Sequence, residues 1–501
     1  MWLAGIVLLG AGLRFADLGR LCLTGDDAWS INAAIQPFIE TMRIAESDVH
    51  PPLHTIMLWC WVRLAGTSEA AVRIPAVIAG ITLIPLVYLI VRDLAGDRRI
   101  AMASAYLVAI SPHLVLFSRS ARWYMPFAAL ALLATWCWVS TLVRGRTRAT
   151  TTGLMLACIA GALYNLTFTG IMLAQWVIYA LTPVGRRGRS WTVLLGAHAL
   201  SALVVAPWMV IKIPGLIRGS AGFDRAPIEG GIFGKVAYLL YSFDVGATLF
   251  PWRWHTVVPY ALATAIALAW ALLTLRRKPA PTPGPVIGPN PYAVLPVLAA
   301  VPVAMFIWLP RMAVACYYLA SNAAYLALKA LILMGSSNRV PAAMGLLAAT
   351  VIAALGQANM LAGRDYLGTQ ALDDWRGVAR RIDDAYRPGD LVITGHPAML
   401  WYLKQQGTPA LNAYAVKQRD VETARRIIWE RSPGSGASER KGAGPSSLDR
   451  MVEEEGFAPV VTLNLNPDPD AAMKRRFVRR PFPPYRTFVD ILEREEPGTR
   501  E

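Results

Sequence analysis

Residues 25–30 read Gly-Asp-Asp-Ala-Trp-Ser and place two adjacent carboxylates just after the first apolar segment of the chain. His50-Pro51-Pro52 follows a short way downstream. The first 363 residues contain twelve acidic residues, of which six lie between Asp26 and Glu69, and none falls well inside an apolar segment. We therefore expect the acidic groups to gather on one face of a membrane protein, with the Asp26-Asp27 loop as the element that carries chemistry.

The composition is that of a polytopic membrane protein. Of its 501 residues 55% are hydrophobic and 16% charged, whereas a soluble domain carries about 25% charged residues. Residues 364–501 hold 22 of the 49 Lys/Arg and 21 of the 33 Asp/Glu, so +15 of the net charge of +16 belongs to residues 1–363. Such an excess indicates basic cytoplasmic loops and not nucleic-acid binding. The five cysteines show no metal-ligand spacing and no disulfide framework.

The apolar segments predict about eleven spanning helices, since a span needs roughly 20 mostly apolar residues. The first segment, Trp2–Leu13, is shorter than that. Either this helix is tilted and Arg14 snorkels to the surface, or the chain begins inside the true helix. The remaining predicted spans are residues 72–91, 100–116, 125–143, 152–169, 171–182, 193–210, 257–275, 293–309, 313–334 and 340–361.

The short basic loops predict the orientation of these spans. Five of them fall on one side, which the positive-inside rule assigns to the cytoplasm. The Asp26 loop (about 19–71), the loops near 118–124 and 212–255, and everything after Arg364 are then outside. The run from Leu53 to Val62 is too short to span and contains Trp59 and Trp61, so we expect it at the membrane surface. The basic loops are those of Arg92/Arg98/Arg99, Arg144/Arg146/Arg148, Arg186/Arg187/Arg189, Arg276/Arg277/Lys278 and Arg339.

Residues 364–501 have the composition of a soluble domain, and their patterns predict a small α/β fold. Predicted helices cover 373–386, 420–429 and 451–455, and predicted strands cover 391–394, 458–463 and 486–492. Residues 387–390 predict a turn, and the Gly/Ser-rich residues 432–447 a loop. No Gly-rich phosphate loop opens any of these helices, so no nucleotide site is expected there.

Two groups of residues could carry chemistry. Asp26-Asp27 could cap a helix, or one carboxylate could act as a general base while the other orients it. His50 is fixed at a proline bend. The loop 118–124 could anchor the chain at the membrane surface or bind phosphate, because the guanidinium fork matches phosphate oxygens. The phosphate candidates are Arg119, Arg122 and Tyr124 of this loop, with His50, Arg73 and the weaker Arg311.

Several motifs, taken in order, resemble the bacterial protein-mannosyltransferase-like glycosyltransferases of the GT-C superfamily (families 39 and 83). The resemblance covers most of the chain and is densest over residues 14–124. It implies a GT-C-type helical bundle, a first helix of full length, a C-terminal α/β domain outside, and a place in the bacterial cytoplasmic (inner) membrane. The motifs are residues 14–19, 26–30, 48–53, 68–69, 73–75, 111–112, 118–124, 374–379 and 388–390.

The resemblance also implies a reaction. Such enzymes move a sugar from a polyprenyl-phosphate carrier to a lipid, glycan or protein acceptor, and the first acidic residue of the loop, here Asp26, is the general base. The chain departs from the family in two places. Asp27 stands where relatives have glutamate, and Ser-Arg-Ser-Ala-Arg at 118–122 replaces Ser-Gln-Glu-Ala-Arg, so Ser120 takes the place of an acidic residue that could orient substrate or hold a metal.

The sequence therefore leaves three interpretations of the function. The first is a lipid-phosphate-dependent, inverting glycosyltransferase with Asp26 and Asp27 as catalytic residues. The second is a non-catalytic protein that binds lipid-linked sugar, or a flippase, and the Ser120 departure keeps this alternative open. A secondary transporter is disfavoured by the absence of mid-membrane charge. No histidine or acidic spacing specifies a metal, so no cofactor is predicted, and a divalent metal is kept as an alternative.

Overall fold

A computed structural model describes residues 1–48, 50–183, 190–219, 231–246, 248–249, 254–277, 289–308, 314–336, 338–363, 373–413, 415–431, 447–467 and 485–494. The chain forms two compact units. The first consists of residues 1–18 and 33–367, and the second of residues 19–32 and 368–501. Residues 19–32, which carry Asp26 and Asp27, thus fold together with C-terminal residues.

The first unit is helical. Its apolar core lies among long helices, with Trp123, Trp138 and Phe168 fully buried near its centre. The helices are α1 (Trp2–Phe15), the end of α2 (Gly25–Ala34), α3 (Phe38–Ser47), α4 (Leu53–Ala65), α5 (Glu69–Ala95), α6 (Arg98–Ile110), α7 (Pro112–Phe117), α8 (Tyr124–Arg144), α9 (Arg148–Tyr164), α10 (Phe168–Leu181), α11 (Ser190–Gly219), α12 (Gly231–Val245), α13 (Trp254–Arg277), α14 (Pro291–Phe306), a 3₁₀ turn (Ala315–Tyr318), α15 (Leu319–Gly335) and α16 (Arg339–Leu361).

Six of the described helices are long and apolar enough to cross a membrane, and this confirms the predicted polytopic helical fold. Shorter apolar helices, among them α1, α4, α10 and α14, lie below that length, and the total of eleven spans stays a prediction. The predicted span 100–116 is divided at Ser111, whose hydroxyl accepts the Leu114 N–H at the start of α7. The six are Glu69–Ala95, Tyr124–Arg144, Ser190–Ile211, Trp254–Arg276, Ala315–Gly335 and Arg339–Leu361.

Arg14 does not snorkel to the surface. Its side chain is fully buried between α1, α5 and α6 and donates hydrogen bonds to the Ser118 hydroxyl (3.0 Å) and to the backbone carbonyls of Gly10 (2.9 Å), Ala109 (2.9 Å) and Val108 (3.3 Å). A charge removed from water needs such partners. Arg14 therefore fastens α1 to the end of α6, and the alternative of a snorkelling Arg14 is wrong.

Gly80 gives this contact its space, so we predict that Gly80→Ala destabilises the first unit. A Cβ at Gly80 would lie 2.1 Å from the Ser118 hydroxyl oxygen and 3.0 Å from Nε of Arg14. Overpacking of a filled core costs about 1–3 kcal/mol. Gly12→Ala, whose Cβ meets nothing within 4 Å, is the matched control. Melting of the detergent-solubilised variants should show a lower transition for Gly80→Ala only; equal melting would contradict the packing argument.

Two expectations about charge in the membrane part need correction. The segment 212–255 is not simply a loop, because it contains the end of α11, all of α12 and the start of α13. Mid-membrane charge is not absent either. Lys329 lies inside the apolar helix Ala315–Gly335 and donates to Asp244 at 2.6 Å. The expectation rested on the acidic residues, whereas the charge inside the span is a lysine. Asp224 and Glu229 lie outside the described residues.

The second unit has an α/β core built on a five-stranded sheet in the order β2-β1-β3-β5-β4. β1 pairs in parallel with β2 and β3, with Val392 opposite Ile428, whereas β5 pairs antiparallel with β3 and β4. Its elements are the start of α2, α17 (Trp375–Ala385), β1 (Leu391–Thr394), α18 (Pro397–Gln406), β2 (Ala410–Asn412), α19 (Gln418–Thr423), β3 (Arg426–Arg431), α20 (Ser447–Glu454), β4 (Phe457–Pro467) and β5 (Tyr485–Arg494).

The predicted α/β domain is confirmed in class, although α18 and β2 were not predicted and one predicted helix is wrong. A helix over 420–429 is wrong: α19 ends at Thr423, and residues 426–431 form the central strand β3. Ile427, Ile428 and Trp429 are buried in the sheet, which requires the extended conformation. A short apolar run does not distinguish strand from helix by itself. The predicted loop 432–447 falls almost wholly outside the described residues.

Candidate functional site

The two aspartates of the acidic loop have different environments. Thr24 immediately precedes α2. Its hydroxyl accepts the Asp27 N–H (3.0 Å), and the Asp27 carboxylate accepts the Thr24 N–H (3.2 Å). This reciprocal pair is a capping box. Asp27 is fully buried, whereas the Asp26 side chain is exposed. Asp27 thus fixes the first turn of the helix, and that turn presents Asp26.

The segment before Asp26 is held by side chains of α17 and α18. Arg376 donates to the carbonyls of Gly19 (3.4 Å) and Arg20 and to the Cys22 sulfur (3.4 Å). The Leu23 N–H donates to the Tyr402 hydroxyl at 2.9 Å. A backbone held at several points is positioned more precisely than a free loop. The C-terminal residues therefore set where Asp26 lies within the second unit.

Arg73 and Arg119, two of the predicted phosphate ligands, bind backbone in the first unit. Arg73 donates to the Leu18 carbonyl (2.7 Å), and Arg119 donates to the carbonyls of Ala16 and of Asp17 (2.8 Å). Burial, and next the charge of Arg73, lower the pKa of Arg119 to about 10, while Asp17 raises it, so Arg119 stays protonated at pH 7. Both arginines satisfy carbonyls at the end of α1.

Arg122 lies in a second basic group, together with two histidines of the first unit. The His50 ring is hydrogen-bonded to the Asn165 amide at 3.0 Å and lies 5.1 Å from the Trp123 ring. Burial, followed by the charges of Arg122 and His50, lowers the pKa of His54 to about 3, so His54 is neutral at pH 7. Arg122 is 8% exposed. A guanidinium held in such a basic environment is suited to an anionic ligand.

The remaining predicted site residues have packing roles. Tyr124 is buried in an aromatic group, 4.8 Å from the Trp123 ring and 5.7 Å from the Phe117 ring. Ser120 is half-buried, and Arg311 lies outside the described residues. Over the part of the chain that the structure describes, no three His, Cys, Asp or Glu residues form a group that could hold a metal ion.

Four residues that adjoin the acidic loop were not predicted as site residues: Trp375, Arg376, His396 and Tyr402. His396 is the most informative, because a Cβ placed on Gly25 would lie 2.9 Å from its Nε2 atom. One signal was available in the sequence. His396 follows a predicted buried strand by two residues, and ligands of α/β domains bind at the carboxyl ends of parallel strands.

Comparison with known proteins gives one family match and several structures with a similar fold. Residues 49–211 match the family model described as dolichyl-phosphate-mannose-protein mannosyltransferase. No curated protein sequence matches the chain. Among solved structures, ArnT from Cupriavidus metallidurans in the apo state has a TM-score of 0.58 at 13% identity, with 98% of this chain and 97% of that chain covered.

Two further structures share the fold and were solved with lipid phosphates. ArnT from Cupriavidus metallidurans bound to undecaprenyl phosphate has a TM-score of 0.56 at 13% identity and covers 98% of each chain. The oligosaccharyltransferase AglB from Archaeoglobus fulgidus, in complex with an inhibitory peptide and a dolichol-phosphate, has a TM-score of 0.53 at 12% identity, with 98% of this chain and 88% of that chain covered. The predicted resemblance is confirmed, and the matches support a membrane glycosyltransferase.

Proposed function

We propose that this chain, which has the fold of ArnT and the family match over residues 49–211, transfers a hexosyl or pentosyl group from a polyprenyl-phosphate carrier to an acceptor hydroxyl. The acceptor is a cell-envelope glycan, a lipid or a protein, and transfer takes place on the outer face of the bacterial inner membrane. The observation that carries the proposal is the exposed carboxylate of Asp26, presented on a helix that Asp27 and Thr24 cap.

The reaction follows from this carboxylate. Asp26 accepts the proton of the acceptor hydroxyl while that oxygen attacks the anomeric carbon of the sugar. The bond between the anomeric carbon and the phosphate oxygen breaks in the same step, so the configuration at that carbon is inverted. The departing lipid phosphate is already a stable anion, and it needs cationic contacts more than it needs a general acid.

Arg122 and His50 are our candidates for these cationic and polar contacts. Arg122 is mostly buried and close enough to His54 to lower the pKa of that histidine, and His50 is oriented by Asn165. Arg119 and Arg73 use guanidinium nitrogens on the carbonyls at the end of α1. In this proposal they position the backbone that leads to the acidic loop, and they contact the phosphate only through their remaining N–H groups.

The test is a transfer assay with purified protein in liposomes. A radiolabelled polyprenyl-phosphate sugar is supplied with envelope glycan, lipid or peptide acceptors, and labelled product is separated from the donor. Transfer with inversion at the anomeric carbon is expected. Tight binding of the lipid-linked sugar without turnover on any acceptor would instead favour the non-catalytic binding protein or flippase.

We predict that Arg122→Gln weakens binding of the lipid phosphate. A hydrogen bond to a charged group contributes about 1.5–3 kcal/mol, so the Kd for undecaprenyl phosphate should rise by roughly tenfold or more. Arg43→Gln is the control, because Arg43 is an exposed residue of α3 paired with Glu40. Native mass spectrometry or a lipid competition assay measures both variants. Equal affinities in the two variants would remove Arg122 from the phosphate site.

A further inference from the structure

We infer that His396, at the end of strand β1, is a positioning residue for the carboxylate of Asp26. The inference rests on the proposed function, since it concerns how the proposed base is held. It also assigns part of the reaction machinery to the C-terminal α/β unit, to which residues 19–32 belong by their contacts.

The imidazole of His396 lies beside the turn that presents Asp26. Gly25 precedes Asp26 in the first turn of α2, and it lies directly against the imidazole of His396. A Cβ on Gly25 would meet the Nε2 atom at 2.9 Å and Cε1 at 3.2 Å, so any larger residue would displace the ring. Glycine at this position lets the imidazole approach the turn that presents Asp26.

The imidazole of His396 is itself held in place. Its ring stacks on Trp375 with centroids 3.9 Å apart and an angle of 18° between the planes. The backbone N–H of His396 donates to the Thr394 hydroxyl (3.1 Å), which fixes the residue that carries the ring, and that hydroxyl donates to the buried Glu430 carboxylate (2.6 Å). His396 is 4% exposed. A group locked by packing and by hydrogen bonds is the kind that can orient a catalytic side chain.

The charge state of the His396 ring also suits this role. Burial lowers the pKa of His396 to about 4, and the charge of Asp26 acts in the opposite direction. At pH 7 the ring is therefore neutral and carries one N–H donor. A neutral donor can orient a carboxylate without forming an ion pair that would suppress its basicity. The Glu430 carboxylate is linked through Thr394 only to the backbone N–H of His396 and not to the ring.

The topology explains why this residue occupies the position. The strand order β2-β1-β3 places β2 and β3 on opposite sides of β1, so the chain reverses its direction across the parallel part of the sheet at β1, and the carboxyl end of β1 is a switch point. Such points are where α/β units bind their ligands. Here the first turn of α2 lies against His396, next to the strand end.

The experiment compares His396→Phe with His396→Gln. Phenylalanine keeps the stack on Trp375 and removes both ring nitrogens, whereas the glutamine amide restores a donor near the place of Nε2. Misplacing a catalytic group by about 1 Å costs on the order of a hundredfold in rate. We expect His396→Phe to lower kcat by about tenfold to a hundredfold with KM for the lipid donor unchanged, and His396→Gln to recover most of the loss. If phenylalanine prevents folding, His396→Asn, which is too short to reach, replaces it.

Three readouts separate this inference from the proposed function. Lys404→Gln changes an exposed residue of α18, the helix that follows His396, and is the control for folding. If wild-type protein transfers sugar, Asp26→Asn does not, and His396→Phe matches wild type, the inference alone is overturned. Equal loss in His396→Phe and His396→Gln also overturns it, because that result indicates packing only. If wild-type protein transfers no sugar, labelling of Asp26 by a water-soluble carbodiimide still decides: faster labelling in His396→Phe supports the contact, and an unchanged rate overturns it.

Discussion

Asp26→Asn is expected to abolish sugar transfer, with kcat falling by at least about 10²–10⁴-fold, the contribution typical of general base catalysis. Asparagine has nearly the shape of aspartate and cannot accept the proton of the acceptor hydroxyl. The Asp26 side chain is exposed, and the hydrogen bond from the Ser30 hydroxyl goes to the Asp26 backbone carbonyl. The variant should therefore insert, fold and bind the lipid donor as the wild-type protein does.

Asp27→Asn is the matched control for this prediction. The Asp27 carboxylate accepts the Thr24 N–H in the capping box, and an asparagine carbonyl oxygen can accept the same bond. Transfer should fall far less in Asp27→Asn than in Asp26→Asn, and any loss should accompany a lower melting temperature. A fully active Asp26→Asn protein would remove the base from the mechanism. An inactive Asp27→Asn protein beside it would move that role to the second carboxylate.

The contrast between the two aspartates shows how far the sequence could go. It identified the two carboxylates as a pair and left helix capping and catalysis as alternatives for that pair. The structure divides the two roles by burial, because Asp27 is enclosed and Asp26 is not. Burial of a side chain depends on what packs against it, and the segment that carries both aspartates folds with residues 368–501, at the far end of the chain. Pattern within one short segment contains no information about them.

His396 and the two arginines at the end of α1 illustrate the same limit. His396 meets the first turn of α2 across about 370 residues of sequence, and no spacing rule connects such positions. Arg73 and Arg119 have the charge and chemistry of phosphate ligands, yet both donate to backbone carbonyls. The apolar spans and the C-terminal α/β class were predictable, since they depend on local periodicity and composition. Which partner a long polar side chain selects is decided only in the folded chain.

We expect a second large effect, on stability, when the ion pair between the buried Lys329 and Asp244 is broken. The pair joins α15 to α12 at 2.6 Å, and the Tyr325 hydroxyl donates to the second Asp244 oxygen at 3.1 Å. Lys329→Met leaves the carboxylate without its cation, and breaking a buried pair in this way costs about 3–5 kcal/mol. The melting temperature of the detergent-solubilised protein should drop by several degrees, as followed by tryptophan fluorescence.

The double variant Lys329→Met with Asp244→Asn separates the charge from the packing. Asparagine keeps an acceptor for Tyr325 and carries no charge, so the pair no longer presents an uncompensated ion to an apolar interior. Replacing both partners of a buried pair is often close to neutral, and we expect the double variant to melt nearer to wild type than either single variant does. This recovery is what distinguishes an ion pair from two independent contacts. Additive losses in the double variant would mean that the lysine stem and the aspartate pack separately and that their charges contribute little.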